Sequence, residues 1–148
     1  MSDQLLAEAH RFLDWAREQG ADLDGTDGSV WFVQGALESM AGKADEEPSL
    51  RVVKCLAYSV YLAELLADTC RGVRRVVDGE GMNLRAVLAV REDGVVQFPL
   101  SWVRSCVDDP RADNIGFKFA GALRDFGEEA RASDMYAQVT EYTEFQGR

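Results

Sequence analysis

Between residues 4 and 19 apolar side chains recur at helical spacing. Leu5, Ala9, Phe12, Leu13 and Ala16 fall on one stripe, with Glu8, Arg11, Asp14 and Glu18 opposite, which predicts an amphipathic helix ended by Gly20. The segment Asp22 to Gly28 has loop chemistry. A second helix is predicted from Ser29 to Ala41, with Ser29 as its cap and Val30, Val33, Leu37 and Met40 inward. After an acidic loop, Pro48 is suited to open a third helix because its missing N–H is not needed there. Residues 49–71 carry two apolar bands. Val52, Leu56, Val60, Ala63, Ala67 and Cys70 form one, and Tyr58, Tyr61 and Leu65 form the other. A helix apolar on two sides must be covered on two sides, so this segment is read as the central core helix.

The period then changes from 3.6 to 2. Val73 to Val77 is a β-branched run, followed by the turn-rich Asp78-Gly79-Glu80-Gly81. Residues 84–90 alternate, with Leu84, Ala86, Leu88 and Val90 on one face and Arg85, Val87 and Ala89 on the other. Glu92-Asp93-Gly94 signals a tight turn, Val95 to Phe98 returns as a third strand, and Pro99 stops it. Ser101 is placed to cap a short helix through Val107, and Asp113 to cap another with Ile115, Phe119, Ala122, Leu123 and Phe126 inward. A weaker helix runs from Glu128 to about Phe145, with Met135, Val139 and Tyr142 as its stripe. The expected fold is therefore α+β, a single domain over residues 1–148, with helices packed on a small three-stranded antiparallel meander.

The net charge of −10 is unevenly spread: −8 over residues 1–50, zero over 51–70, +2 over 71–104 and −4 over 105–148. An acidic chain repels phosphate backbones, which argues against a nucleic-acid partner. Arginines paired to the surplus carboxylates are the simplest account of the basic middle. No apolar run approaches the ~20 residues of a membrane helix, and Met1 to Gln4 lack a basic signal-peptide start, so a cytoplasmic location and no membrane partner are expected. Thirteen arginines against three lysines, and fifteen valines against one isoleucine, are the bias that GC-rich bacterial codons produce.

The residue inventory demotes several chemistries. His10 is the only histidine, and no flanking motif supports a nucleophile–base pair. An EF-hand starting at Asp22 would place Thr26, Asp27 and Val33 where Asp or Asn, Gly and Glu are required, so no metal is expected. Gly79-Glu80-Gly81 lies between strands, where it cannot present a helix N-terminus to phosphate. Cys55, Cys70 and Cys106 show no C-x-x-C spacing. If Cys55 and Cys70 share a helix they stand about 22 Å apart, too far for a disulfide. All three thiols read as reduced and structural. No catalytic residue and no cofactor is assigned.

Four residues stand out as ligand-binding candidates: Glu64, Tyr61, Arg104 and Trp102. Glu64 lies where the polar sector of the central helix meets its apolar band. A buried carboxyl there would be a general acid or base unless a cation compensates. The competing role is an ion pair with Arg71, Arg74 or Arg75. If that pair is buried, Glu64→Ala strands a cation at a cost of about 3–5 kcal/mol. Trp102 is read as a core or interface anchor, and Arg104 as an anion holder or a partner of Asp108 or Asp109.

Tyr61 to Leu66 (Tyr-Leu-Ala-Glu-Leu-Leu), Phe98 to Val103 (Phe-Pro-Leu-Ser-Trp-Val) and Asp113 to Phe119 together resemble small uncharacterised bacterial domains. In these a Gly-Glu-containing helix precedes a strand, a hairpin and a proline-started helix. Ala63 stands where those domains usually have glycine, and Val73 or Arg74 where they often have tryptophan. The resemblance implies the fold and no known activity.

The leading expectation is a non-enzymatic acidic interaction module, an adaptor or immunity-type protein with a basic protein partner. The alternative is a small-molecule-binding protein or weak enzyme with a pocket around Glu64, Tyr61 and Arg104. Apolar residues on both faces of so small a sheet also suggest a homodimer. Val87, Ala89 and Val76 or Val77 occupy the second face, with Met135, Tyr136 and Tyr142 on the last helix.

Overall fold

A computed structural model describes residues 3–43, 45–77 and 86–146. Three helices come first: α1 (Asp3–Glu18), α2 (Ser29–Ala41) and α3 (Pro48–Thr69). Strands β1 (Val73–Val77), β2 (Val87–Arg91) and β3 (Val96–Gln97) follow, and then α4 (Pro99–Asp108), α5 (Ile115–Asp125) and α6 (Glu129–Gln146). The strands form an antiparallel meander in the order β1-β2-β3, with Val73 opposite Arg91 and Ala89 opposite Gln97. The fold is α+β, as the change of period implies. The turn read at Asp78 to Gly81, with Leu84 and Arg85, lies outside the described residues.

The central helix is more enclosed than two bands suggest. Every residue from Leu56 to Ala63 is buried, including Ser59 and Leu62, which belong to neither band. One core cluster joins side chains from all six helices and from β1 and β2. The first two turns of α3 depart from expectation, because Val52 is exposed there. Glu47 caps this helix, its carboxylate accepting from Ser49 N and Leu50 N, and Pro48 occupies the first turn as predicted.

Within β2 the covered face is the one assigned as the second, although Ala86 just before the strand is buried too. Val87 and Ala89, assigned to the second face, are fully buried, and Leu88 and Val90 are the half-covered ones. Both α3 and α4 pack against β2 and cover that face within the chain. Met135 is buried as well. Hence Val87, Ala89 and Met135 do not supply the uncovered apolar surface that suggested a homodimer.

Three predicted caps are also displaced. Gly28 precedes α2, and the Ser29 hydroxyl instead donates to the Thr26 carbonyl at 2.6 Å. Asn114 rather than Asp113 caps α5, accepting from Phe117 N at 3.1 Å. Helix α4 starts two residues before Ser101, because Pro99 supplies the preset φ of a first turn. Between β2 and β3 the Glu92-Asp93-Gly94 turn forms as read. Gly94 has φ +94°, a conformation open to glycine without strain.

Candidate functional site

Of the four sequence candidates, the fold brings two together. Tyr61 and Glu64 line a cavity of about 320 Å³ with Arg17, Asp24 and Asp68. Both are committed to structural bonds. The buried Tyr61 hydroxyl donates to Ser29 Oγ at 2.6 Å and accepts from Gly25 N at 3.1 Å, which pins the loop after α1 onto α3. Glu64 pairs with Arg75 of β1, one of the three arginines within reach in the sequence. The two side chains are 33% and 31% exposed, so the pair is half solvated rather than buried. That changes the expected cost of removing it. Glu64→Ala is expected to lower stability by at most about 1 kcal/mol, the value of a screened ion pair, not 3–5. A urea melt of the variant measures it.

Arg104 and Trp102 lie elsewhere. Trp102 is a core residue of α4. Arg104 lines a separate cavity of about 250 Å³ with Arg51, Cys55 and Asp108, so it shares no site with Tyr61 and Glu64. Burial raises all three thiols, Cys106 to about 12, which keeps them protonated near neutrality. No disulfide links them.

The acidic loop is held by protein groups. Asp24 Oδ1 accepts from Thr26 N and Thr26 Oγ1, and these bonds lower its pKa. Asp27 receives two bonds from Arg131 of α6, at 2.9 and 2.7 Å. The same guanidinium donates to the Thr69 carbonyl and hydroxyl, so one side chain ties α6 to the loop and to the end of α3. Among the described residues, no cluster of three or more His, Cys, Asp or Glu has the geometry to hold a metal ion.

An arrangement that sequence reasoning missed stands where α2 meets α6. Trp31 stacks on Tyr142 with centroids 4.7 Å apart and planes 25° from parallel. The Trp31 indole N–H donates to Gln138 Oε1 at 2.7 Å, and the Tyr142 hydroxyl donates to the Glu38 carboxylate at 2.6 and 2.8 Å. Partial burial and the Glu38 charge raise the Tyr142 pKa. Gly116 at the start of α5 leaves room for the Trp31 ring, since a Cβ there would stand 2.5 Å from it. Trp31, Gln138 and Tyr142, together with Glu141 and Phe145, line a recess of about 430 Å³ without a cationic side chain. Phe145 is 74% exposed.

No family model matches this chain, and no curated protein or solved structure is significantly similar to it. Trp31 and Tyr142 come from opposite ends of the chain, so no local pattern announces their stack. The legible part of the face was Glu141-Tyr142 and Glu144-Phe145, two acid–aromatic steps within one helix.

Proposed function

We propose that this protein is a non-enzymatic acidic interaction module, an adaptor or immunity-type protein whose partner presents a basic protein surface. The observation that carries the reading is the acidic, aromatic face of α2 and α6. Glu141 and Glu144 are exposed beside the protruding Phe145, and Trp31 and Tyr142 lie next to them. Aromatic faces and carboxylates both attract lysine and arginine, and an exposed aromatic ring is the kind of anchor that interfaces bury. A quarter of the chain's sixteen cationic side chains are held in close internal pairs. Arg75, Arg91, Arg131 and Lys54 are bound to Glu64, Asp93, Asp27 and Glu46. The outward field is therefore dominated by surplus carboxylate, which steers basic partners and repels nucleic acid.

In this reading the protein acts in the cytoplasm, needs no cofactor and has no membrane partner. No helix among the described residues is long and apolar enough to cross a membrane. A test uses a lysine-rich peptide titrated calorimetrically at two salt concentrations. Binding is expected to weaken with salt and to be lost in the double variant Glu141→Lys/Glu144→Lys. Glu18→Lys, an exposed position on α1, is expected to leave it nearly unchanged. Equal sensitivity to both reversals would reduce the interaction to net charge and overturn the assignment of this face.

A further inference from the structure

A different surface, between α1, the end of α2 and the start of α3, has a lining of another character. Here a cavity of about 510 Å³ opens, within the range that small-molecule sites occupy. Its apolar wall is built from Phe12, Trp15, Met40, Leu50 and Tyr58. The Phe12 ring stands edge-on to Tyr58, with centroids 5.7 Å apart, and 5.8 Å from Trp15. Trp15 remains 55% exposed and Leu50 41%, so this apolar surface is left open to water.

The polar side chains of the lining share one property. Ser39, Lys43, Lys54 and Tyr58 all carry donor hydrogens, and no carboxylate or carboxamide side chain is among them. In a chain with 26 acidic residues that selection sets the cavity apart from the acidic face. Lys54 is partly neutralised by Glu46, 2.6 Å away, which fixes its ammonium in place. Lys43 is exposed, and no described residue bonds its ammonium. Tyr58 is 95% buried as a residue, and its hydroxyl, which no described residue bonds, is the part left open to solvent. An accessible hydroxyl that no protein group bonds is free to donate to water or to a ligand.

We infer that this cavity binds a small amphipathic carboxylate, its flat apolar body against Phe12, Trp15 and Tyr58 and its carboxylate among the donors of Lys43, Lys54 and Tyr58. A neutral apolar molecule would fill the wall and leave the donors unmet. A cation would meet two lysines. Only a molecule that brings its own acceptors and an apolar body satisfies both halves of the lining. This site is independent of the α2–α6 face and stands or falls separately from it.

The probe is naphthalene-2-carboxylate, titrated calorimetrically into the full chain, with naphthalene-2-carboxamide as its uncharged counterpart. The carboxylate is expected to bind saturably, and the amide more weakly. Tyr58→Phe removes only the hydroxyl and Lys43→Ala only an exposed side chain, so both variants should keep the wild-type circular dichroism. Each is expected to weaken carboxylate binding about threefold to tenfold, the worth of one hydrogen bond or one charge-assisted contact. Arg104→Ala, in the other cavity, should have no effect. Three outcomes each overturn the proposal: no saturable binding up to millimolar probe, equal affinity for the amide, or wild-type affinity in both variants.

Discussion

Gln34→Leu is expected to lower the stability of the chain by about 1–3 kcal/mol, although leucine is the more apolar residue. Gln34 is fully buried on α2. Its Oε1 accepts from the Ile115 backbone N–H at 2.8 Å and from the Cys106 thiol at 3.5 Å, and its Nε2 donates to Glu38 Oε1 at 3.3 Å. One side chain thus joins α2 to α4 and to the first turn of α5. The Ile115 N–H is one of the amides at a helix start that have no intrahelical partner. Leucine fills the space and leaves that donor buried without an acceptor. The loss is expected in a urea melt as a lower midpoint with an unchanged slope, which marks a change of stability rather than of the unfolded state. A midpoint equal to wild type would mean that water reaches the Ile115 amide.

Gln34 also shows where sequence patterning stopped. A lone glutamine within an apolar stripe carries no local sign that it will meet an amide 81 positions later. The same holds for Trp31 and Tyr142. What was legible depended on short-range periodicity. The six helices and three strands, the Pro48 and Pro99 starts and the Gly94 turn all follow from residues within a few positions of one another. Caps were less legible because neighbouring residues compete for one amide. Asn114 and Asp113 are both good cap residues, and the backbone at Asn114 is the extended one that a cap requires. The sheet faces were misassigned because period 2 fixes which residues share a face and leaves open which face is covered. Here α3 and α4 both lie against β2, a tertiary fact beyond the strand's own pattern.

The candidate site was legible to a smaller degree. Tyr61 and Glu64 do meet at one cavity, since three positions apart on a helix is neighbouring. Adding Arg104 required knowing how α4 docks, and it docks beside Val52 and Cys55, nearer the start of α3. The lysine-lined cavity escaped notice for a related reason. Trp15, Lys43 and Tyr58 come from three segments, and each alone reads as an ordinary helix or loop residue.

Central burial along α3 leads to the largest expected effect of a single substitution. Leu62→Ala is expected to cost about 2–5 kcal/mol, the range for deleting a buried leucine side chain whose surroundings relax only in part. Leu62 has no exposed surface, with buried neighbours on either side in the chain. Helical spacing placed it outside both apolar bands. A side chain there would be half solvated if only two faces of α3 were covered, and its removal would then cost well under 2 kcal/mol. Val52 provides the opposite case. It belongs to a predicted band yet is 38% exposed, so Val52→Ala should change stability by no more than about 0.5 kcal/mol. Measured side by side in urea, the two variants distinguish a helix enclosed on all sides through its middle from one covered in two stripes along its length. Comparable losses at the two positions would support the stripes. A loss confined to Leu62 would establish that α1, the sheet and α4 together close around the centre of α3 and leave its first two turns open.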